Sequence, residues 1–345
     1  MKYTKKVIGA LEKCYALSRV TVQGQECLLV AAEKHAPCQL FDLEGNLLDT
    51  VWEEPGGVMT VVPMPDRENM FLATHKFYSP NDSKEAMLVT ASWEDGQWRI
   101  TKLCDLPFVH RFDIFAKNGV NYLLACALKS GHEYKDDWRF PGTVYAGILP
   151  DDPRKGNVEL RPVMEGMLRN HGYTRCSGSS GDRAVISCQS GVYLFAPPEE
   201  LGGDWKIEQL IDEPTSDALL VDLDEDGIPE LFTMGPFHGD QISIYRREGG
   251  CYQRVFDYPE KTPFLHAIYA GEFYGTPVAV CGNREGKREL LCFLYDREKG
   301  RYRWEQIDRD SGPANCLIFH RAGKPVILAA NRETDEIAMY EVERD

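Results

Sequence analysis

Long hydrophobic runs are missing from this 345-residue sequence. No segment approaches the ~20 apolar residues that cross a bilayer. The start, MKYTKKVIGALEKCY, has only a short apolar stretch between charges, too little for a secretory leader. Basic charge is also scarce: 39 Lys and Arg stand against 54 Asp and Glu, a net charge of −15. That balance argues against a nucleic-acid backbone or an anionic membrane as partner, since both reward a basic face. No C-x-x-C pair occurs among the 11 cysteines, and their number is odd. Most lie in apolar runs such as Glu26–Val30 and Leu290–Phe293, where a free thiol behaves as a small hydrophobe. A reducing, cytoplasmic compartment is expected. No stretch keeps a 3.6-residue period for long, which leaves little room for helices. Also absent are G-x-S-x-G, a P-loop, a G-x-G-x-x-G leading into a helix, and H-E-x-x-H.

What is present is a repeat. Gly275-Thr-Pro-Val-Ala-Val-Cys-Gly-Asn-Arg-Glu285 matches Gly323-Lys-Pro-Val-Ile-Leu-Ala-Ala-Asn-Arg-Glu333 at an offset of 48 residues, and a further step back lands on Gly227-Ile-Pro. Looser copies of this turn, each followed by an apolar strand, occur at Gly24, near Arg67, at Gly119 and at Gly181. Each of the seven anchors sits in one four-strand unit, as in Phe264–Gly271, Pro277–Cys281, Glu289–Tyr295 and Tyr302–Ile307. Four short strands every 43 to 62 residues is propeller spacing. The last unit has only three strands, Ala314–Phe319, Pro325–Ala330 and Glu336–Glu343, while Tyr3–Leu11 is left over at the start. The expectation is an all-β, seven-bladed β-propeller forming a single domain over residues 1–345. Its N-terminal strand closes the last blade and hides a sheet edge.

Three segments stand apart from the repeat. Lys129–Pro141 lengthens the connection after the second strand of unit three and reads as a surface flap or as a solvated excursion. Asp222, Asp224, Asp226 and Glu230 have the D-x-D-x-D-G-x-x-E spacing of a calcium loop. Both a structural calcium ion and an ion-free Asp/Gly-rich hairpin fit it. The Gly-Ser cluster Cys176–Gly181 reads as a hairpin, since no helix dipole backs it for phosphate binding.

In a propeller, the connection into the first strand of a blade and the connection out of its second strand share one face. His110, His171 and His266 fall at the former; His35, His75, His132 and His238 at the latter; only His320 lies at the opposite end. Imidazoles converging from several blades suit a divalent ion such as Mn, Zn or Mg, or a general base with a second imidazole as acid. The innermost positions, His110, His171 and His266, are the expected metal ligands, with His75 and His238 as catalytic partners. Arg284 and Arg332 repeat at equivalent corners and suit an oxyanion or a structural tie, and Arg111 and Arg175 could join them. Tyr15, aligned with His266 by its nine-residue offset from Gly24, and Tyr173 are candidate proton donors or stacking platforms.

The segment Leu265–Glu272 followed by Pro277–Gly286, together with Val221–Glu230, resembles the FG-GAP/VCBS class of propeller repeats. More narrowly it is similar to the propeller of aldos-2-ulose dehydratase-type enzymes. The likeness covers units five to seven, and a second, cupin-like domain of that family has no room here. The resemblance implies a metal-assisted, histidine-lined sugar dehydratase site. Two function classes follow: a lyase, dehydratase or epimerase acting on a small saccharide or oxidised sugar, and a non-catalytic propeller binding a saccharide or protein partner. Proton abstraction beside a carbonyl fits the residues better than hydrolysis, for which facing carboxylates are expected.

Overall fold

The repeat is built on its hairpins. Gln23 and Gly24, Asn118 and Gly119, Tyr274 and Gly275, and Ala322 and Gly323 all have positive φ, from 51° to 82°. Paired left-handed residues make the two-residue turn whose twist matches that of the strands it joins. Glycine at the second position bears this conformation without a Cβ penalty. The conserved turn chemistry of the anchors therefore sets the first hairpin of each of these blades, and the apolar runs on either side supply its strands.

A computed structural model describes residues 1–178 and 181–344, so part of the Cys176–Gly181 cluster lies outside the described residues. It contains seven sheets of four antiparallel strands arranged as a ring of blades. The first strands of the blades are Cys14–Val22, Val61–Pro63, Val109–Lys117, Gly172–Cys176, Asp217–Val221, Leu265–Phe273 and Asn315–Arg321. They line the axis and pack against their counterparts in neighbouring blades. The last strand of each blade is on the rim and largely exposed, as in Gln97–Asp105 and Cys251–Asp257. Apolar side chains between adjacent blades form the core; Phe232, Phe293, Tyr258 and Tyr302 interlock in this way between blades 5 and 6. The only helical element among the described residues is the 3-10 turn Pro153–Lys155, and no helix is long and apolar enough to cross a membrane.

The ring closes as the sequence indicates. Lys2–Ala10 pairs antiparallel with Glu336–Glu343, from Lys2 opposite Glu343 to Ala10 opposite Glu336. Blade 7 thus takes three strands from the C-terminus and one from the N-terminus. All 11 cysteines are free thiols; nine are buried, Cys104 is half-buried, and Cys251 is exposed. Burial raises the Cys14, Cys104 and Cys316 thiols to about 12. Such thiols are neutral and unreactive.

Two outcomes follow. Under native, reducing conditions a soluble alkylating reagent should label Cys251 first and all 11 thiols only after denaturation, read by intact mass. Deleting residues 1–10 should leave Glu336–Glu343 as an open edge, lowering the thermal midpoint and producing concentration-dependent oligomers in size-exclusion chromatography.

Candidate metal and proton-transfer site

In blades 1, 3 and 6 the register of the first hairpin slips by one residue near the end of the inner strand. Cys14 pairs with Ala32 but Ala16 with Ala31; Val109 with Ala127 but Arg111 with Cys126; Leu265 with Asn283 but Ala267 with Gly282. The extra residues are Tyr15, His110 and His266. A β-bulge of this kind re-aims one side chain without disturbing the apolar alternation on either side. Three blades use it to turn a polar ring toward the axis. His171 comes from the residue preceding the inner strand of blade 4, and His238 from the loop after the second strand of blade 5.

The rings meet. His110 and His171 have centroids 4.6 Å apart, His171 and His238 5.0 Å, His171 and His266 5.2 Å, and His238 and His266 5.6 Å. Ligand atoms of His171, His238 and His266 all lie within 4.8 Å of one another. The orientation of two of these rings is fixed by hydrogen bonds. His171 Nδ1 is 2.9 Å from the buried Asp217 carboxylate, and His266 Nδ1 is 2.7 Å from the Ala314 carbonyl oxygen. Each acceptor takes an N–H from Nδ1, which leaves Nε2 as the nitrogen facing the cluster; this arrangement supports metal-ligating histidines. The Nε2 atoms of His171 and His238 are buried with no hydrogen-bond partner. Unpartnered buried nitrogens are costly unless something binds them. Burial, reinforced by neighbouring imidazoles, drives His238 down to about 2 and His266 well below its ordinary value, so both are neutral, as metal binding requires.

Of the three expected ligands, two fall in the group that could hold an ion. His110 belongs to the cluster, but it is His238 that joins His171 and His266. His110 stacks on His171 and directs Nε2 at the Tyr15 hydroxyl, 3.3 Å away, while the same hydroxyl is 3.2 Å from His266 Nε2. With His266 Nε2 as acceptor, Tyr15 donates to it and accepts from His110 Nε2–H; an ion on the same lone pair would displace the Tyr15 bond. His110 Nδ1 is thereby left as a lone pair, buried and unpartnered. Burial keeps His110 well below its ordinary value and raises Tyr15 to about 12.

Other predicted residues are elsewhere. His75 packs on Trp52 at 4.7 Å and makes no ring contact with another histidine; burial takes it down to about 4. Tyr173 lines the central channel, its hydroxyl buried without a hydrogen-bond partner and its phenol raised by burial and by Asp113. Arg284 and Arg332 both engage carboxylates of the chain. Arg284 donates to Glu333 at 2.8 Å, and Arg332 bonds to Glu333 at 2.8 Å and to Glu33. The result is a charge chain, Arg284–Glu333–Arg332–Glu33, that ties blades 6, 7 and 1. Asp222, Asp224 and Asp226 do bring carboxylate oxygens within 4.8 Å of one another. Glu230 is not among them: it is buried and accepts from Leu223 N–H and Tyr302 O–H, because its position opens an apolar strand. Asp224 is further taken up by Arg246.

Sequence reasoning missed Asp217, Ser216, whose hydroxyl donates to the Asp217 carboxylate at 2.8 Å, and the aromatic cover. Asp217 opens the apolar inner strand of blade 5, and a carboxylate there was the available signal. The Lys129–Pro141 insertion folds over the site. Its Trp138 lies 4.8 Å from Phe237, which stacks on His238 at 3.9 Å. The fully buried Asp137 organises the insertion by accepting from the backbone N–H groups of Glu133 and Arg139 and from the Arg139 guanidinium. Lys129, also buried, sits 4.5 Å over the Trp138 ring and donates to Asn81.

Solved structures share the fold. The Cps50 (Swd1) β-propeller domain of Myceliophteria thermophila matches with a TM-score of 0.64 at 11% identity, over 99% of this chain and 100% of that one. A periplasmic gluconolactonase, PpgL, of Pseudomonas aeruginosa matches with a TM-score of 0.62 at 14% identity, over 92% of each chain. No protein-family model and no curated protein matches the sequence, so the likeness establishes the propeller and not the FG-GAP/VCBS class.

Asp217→Asn should weaken binding of Zn or Mn by about 10- to 100-fold, as loss of a partner behind a ligating histidine does, measured by competition with a chelating dye. Arg332→Gln should instead leave that affinity intact and lower stability, by roughly 3 kcal/mol on the scale of broken buried ion pairs, read from denaturant midpoints.

Proposed function

We propose that this propeller is a metal-assisted enzyme of the lyase, dehydratase or epimerase type acting on an oxidised sugar. His171, His238 and His266 would hold the divalent ion. The observation that carries the reading is the convergence of three imidazoles, two of them oriented from behind by Asp217 and by the Ala314 carbonyl. When bound, a divalent ion at this position supplies Lewis acidity to a carbonyl or carboxylate oxygen.

The remaining chemistry belongs to the chain. His110 offers a desolvated Nδ1 lone pair, the correct form for taking a proton from a carbon next to a carbonyl. Its other nitrogen already donates to Tyr15, so the imidazolium formed by proton uptake would be held without rearrangement. The Tyr15 O–H, which points at His266 Nε2, would be released toward substrate when that lone pair ligates an ion. The low basicity of His110 suits a carbon acid only when the neighbouring carbonyl is polarised, which couples the proton step to the ligand-binding rings. Phe237 and Trp138 exclude water from one side of His238. The sugar assignment is supported by the resemblance in units five to seven, and by a propeller of the same fold that carries the name gluconolactonase.

Elemental analysis of the purified chain should find one divalent ion per molecule, lost in His238→Ala, and a chelator should lower the thermal midpoint. With a 2-ketose or uronate in D2O, the metal-loaded chain should catalyse exchange of the α-proton, seen by NMR, and His110→Ala should abolish it while retaining the ion. Absence of bound metal with unchanged melting in chelator would remove the metal-dependent reading. Metal binding without exchange would favour the non-catalytic saccharide-binding alternative.

A further inference from the structure

Beneath the imidazole cluster the axis opens into a channel of about 660 Å3 lined by the inner strands of all seven blades. That volume falls in the roughly 300–1,000 Å3 range of small-molecule sites. Three arginines line it, and two are neutralised. Arg19 donates to Glu26 at 2.6 Å, and Arg175 clamps Asp113 with two bonds of 2.8 and 2.9 Å and also reaches Asp182 at 3.4 Å. Arg111 is different. Its Nη1 donates to the Met59 carbonyl at 2.8 Å, its guanidinium lies 5.6 Å from the Tyr15 ring centroid, and its Nε is buried with no partner. It has no carboxylate partner among the described residues. A half-buried guanidinium in no salt-bridge contact, with its planar donor fork largely unused, suits a carboxylate ligand.

The rest of the lining says what that ligand carries. Three channel hydroxyls have already committed their protons to the backbone: Thr60 donates to His110 O, Thr174 to Ala218 O and Ser18 to Arg19 O. Asn315 spends an amide N–H on Tyr15 O. What these groups still offer is acceptor oxygens, and acceptors are satisfied by a ligand rich in O–H donors. We infer that the channel binds a small sugar acid, its carboxylate held by Arg111 and its hydroxyl groups donating to the lining oxygens. This inference rests on the oxidised-sugar reading above and narrows it to the acid. Arg111 directly follows His110 in the chain and lies against Tyr15, although neither of these two lines the channel itself.

The test is calorimetric titration of chelator-treated protein, so that it does not depend on the metal. D-gluconate and D-glucuronate should bind saturably. D-glucose, acetate and the methyl ester of glucuronate should bind at least tenfold more weakly, since each lacks either the charge or the hydroxyl groups. Arg111→Gln should reduce binding of the acids at least tenfold, and Arg111→Lys should fall between, keeping charge without the fork; melting curves check that both variants fold. The ester comparison needs no variant and stands if they do not. No saturable binding of either acid, equal binding of acid and ester, or wild-type affinity in a folded Arg111→Gln would each overturn the assignment. These results are independent of whether metal is found, so loss of the metal reading and loss of this one are distinguishable.

Discussion

Antiparallel pairing of Lys2–Ala10 with Glu336–Glu343 is the interaction on which the rest depends. It joins the two ends of the chain in a single sheet, and only in a closed ring do seven inner strands face one axis. An isolated blade would have nowhere to bury its two faces; in the ring each lies against a neighbour. Closure also places residues as remote in sequence as Tyr15 and His266 within hydrogen-bond distance. The Arg284–Glu333–Arg332–Glu33 chain reinforces the same seam from the ligand face, running across blades 6, 7 and 1.

The electrostatics of the face follow from burial. His110, His171 and His266 are nearly inaccessible, and in such surroundings a second positive charge is expensive. The cluster accommodates this by holding His110, His238 and His266 neutral and by giving His171 the one carboxylate, Asp217, that touches the group. Arg111 supplies positive charge close by without entering the cluster. The overall acidity of the chain thus coexists with one channel guanidinium, Arg111, that no carboxylate contacts among the described residues.

The fold was legible because propeller repeats write their turns into the sequence. The Gly24, Gly119, Gly275 and Gly323 anchors mark turns that only a left-handed pair can make, and the three-strand final unit announced the closing strand. The histidine face was legible too, because the position of a residue within its repeat fixes its height along the axis. Angular position is a different quantity. His110 and His266 share a nine-residue offset from their anchors but stand in blades 3 and 6, whereas His171, His238 and His266 come from the consecutive blades 4, 5 and 6 and so converge. Arg284 and Arg332 repeat faithfully, yet the carboxylates that engage them, Glu333 and Glu33, lie in the next blade, outside the view of a within-repeat comparison. Glu230 matched a calcium spacing, but spacing does not report that the side chain faces the core.

The bulges at Tyr15, His110 and His266 have a consequence for how such a site could arise and change. One residue inserted at the same point of the unit gives each of these three blades a spoke aimed at the hub, while the ladder around it stays intact. The side chain on a spoke is then uncoupled from the packing of its blade. A phenol occupies it in blade 1 and imidazoles in blades 3 and 6, with no other alteration of the strand pairing. Replacement at a spoke would be a change of chemistry at nearly constant fold, and a ring of related units can explore several reaction centres while remaining the same wheel.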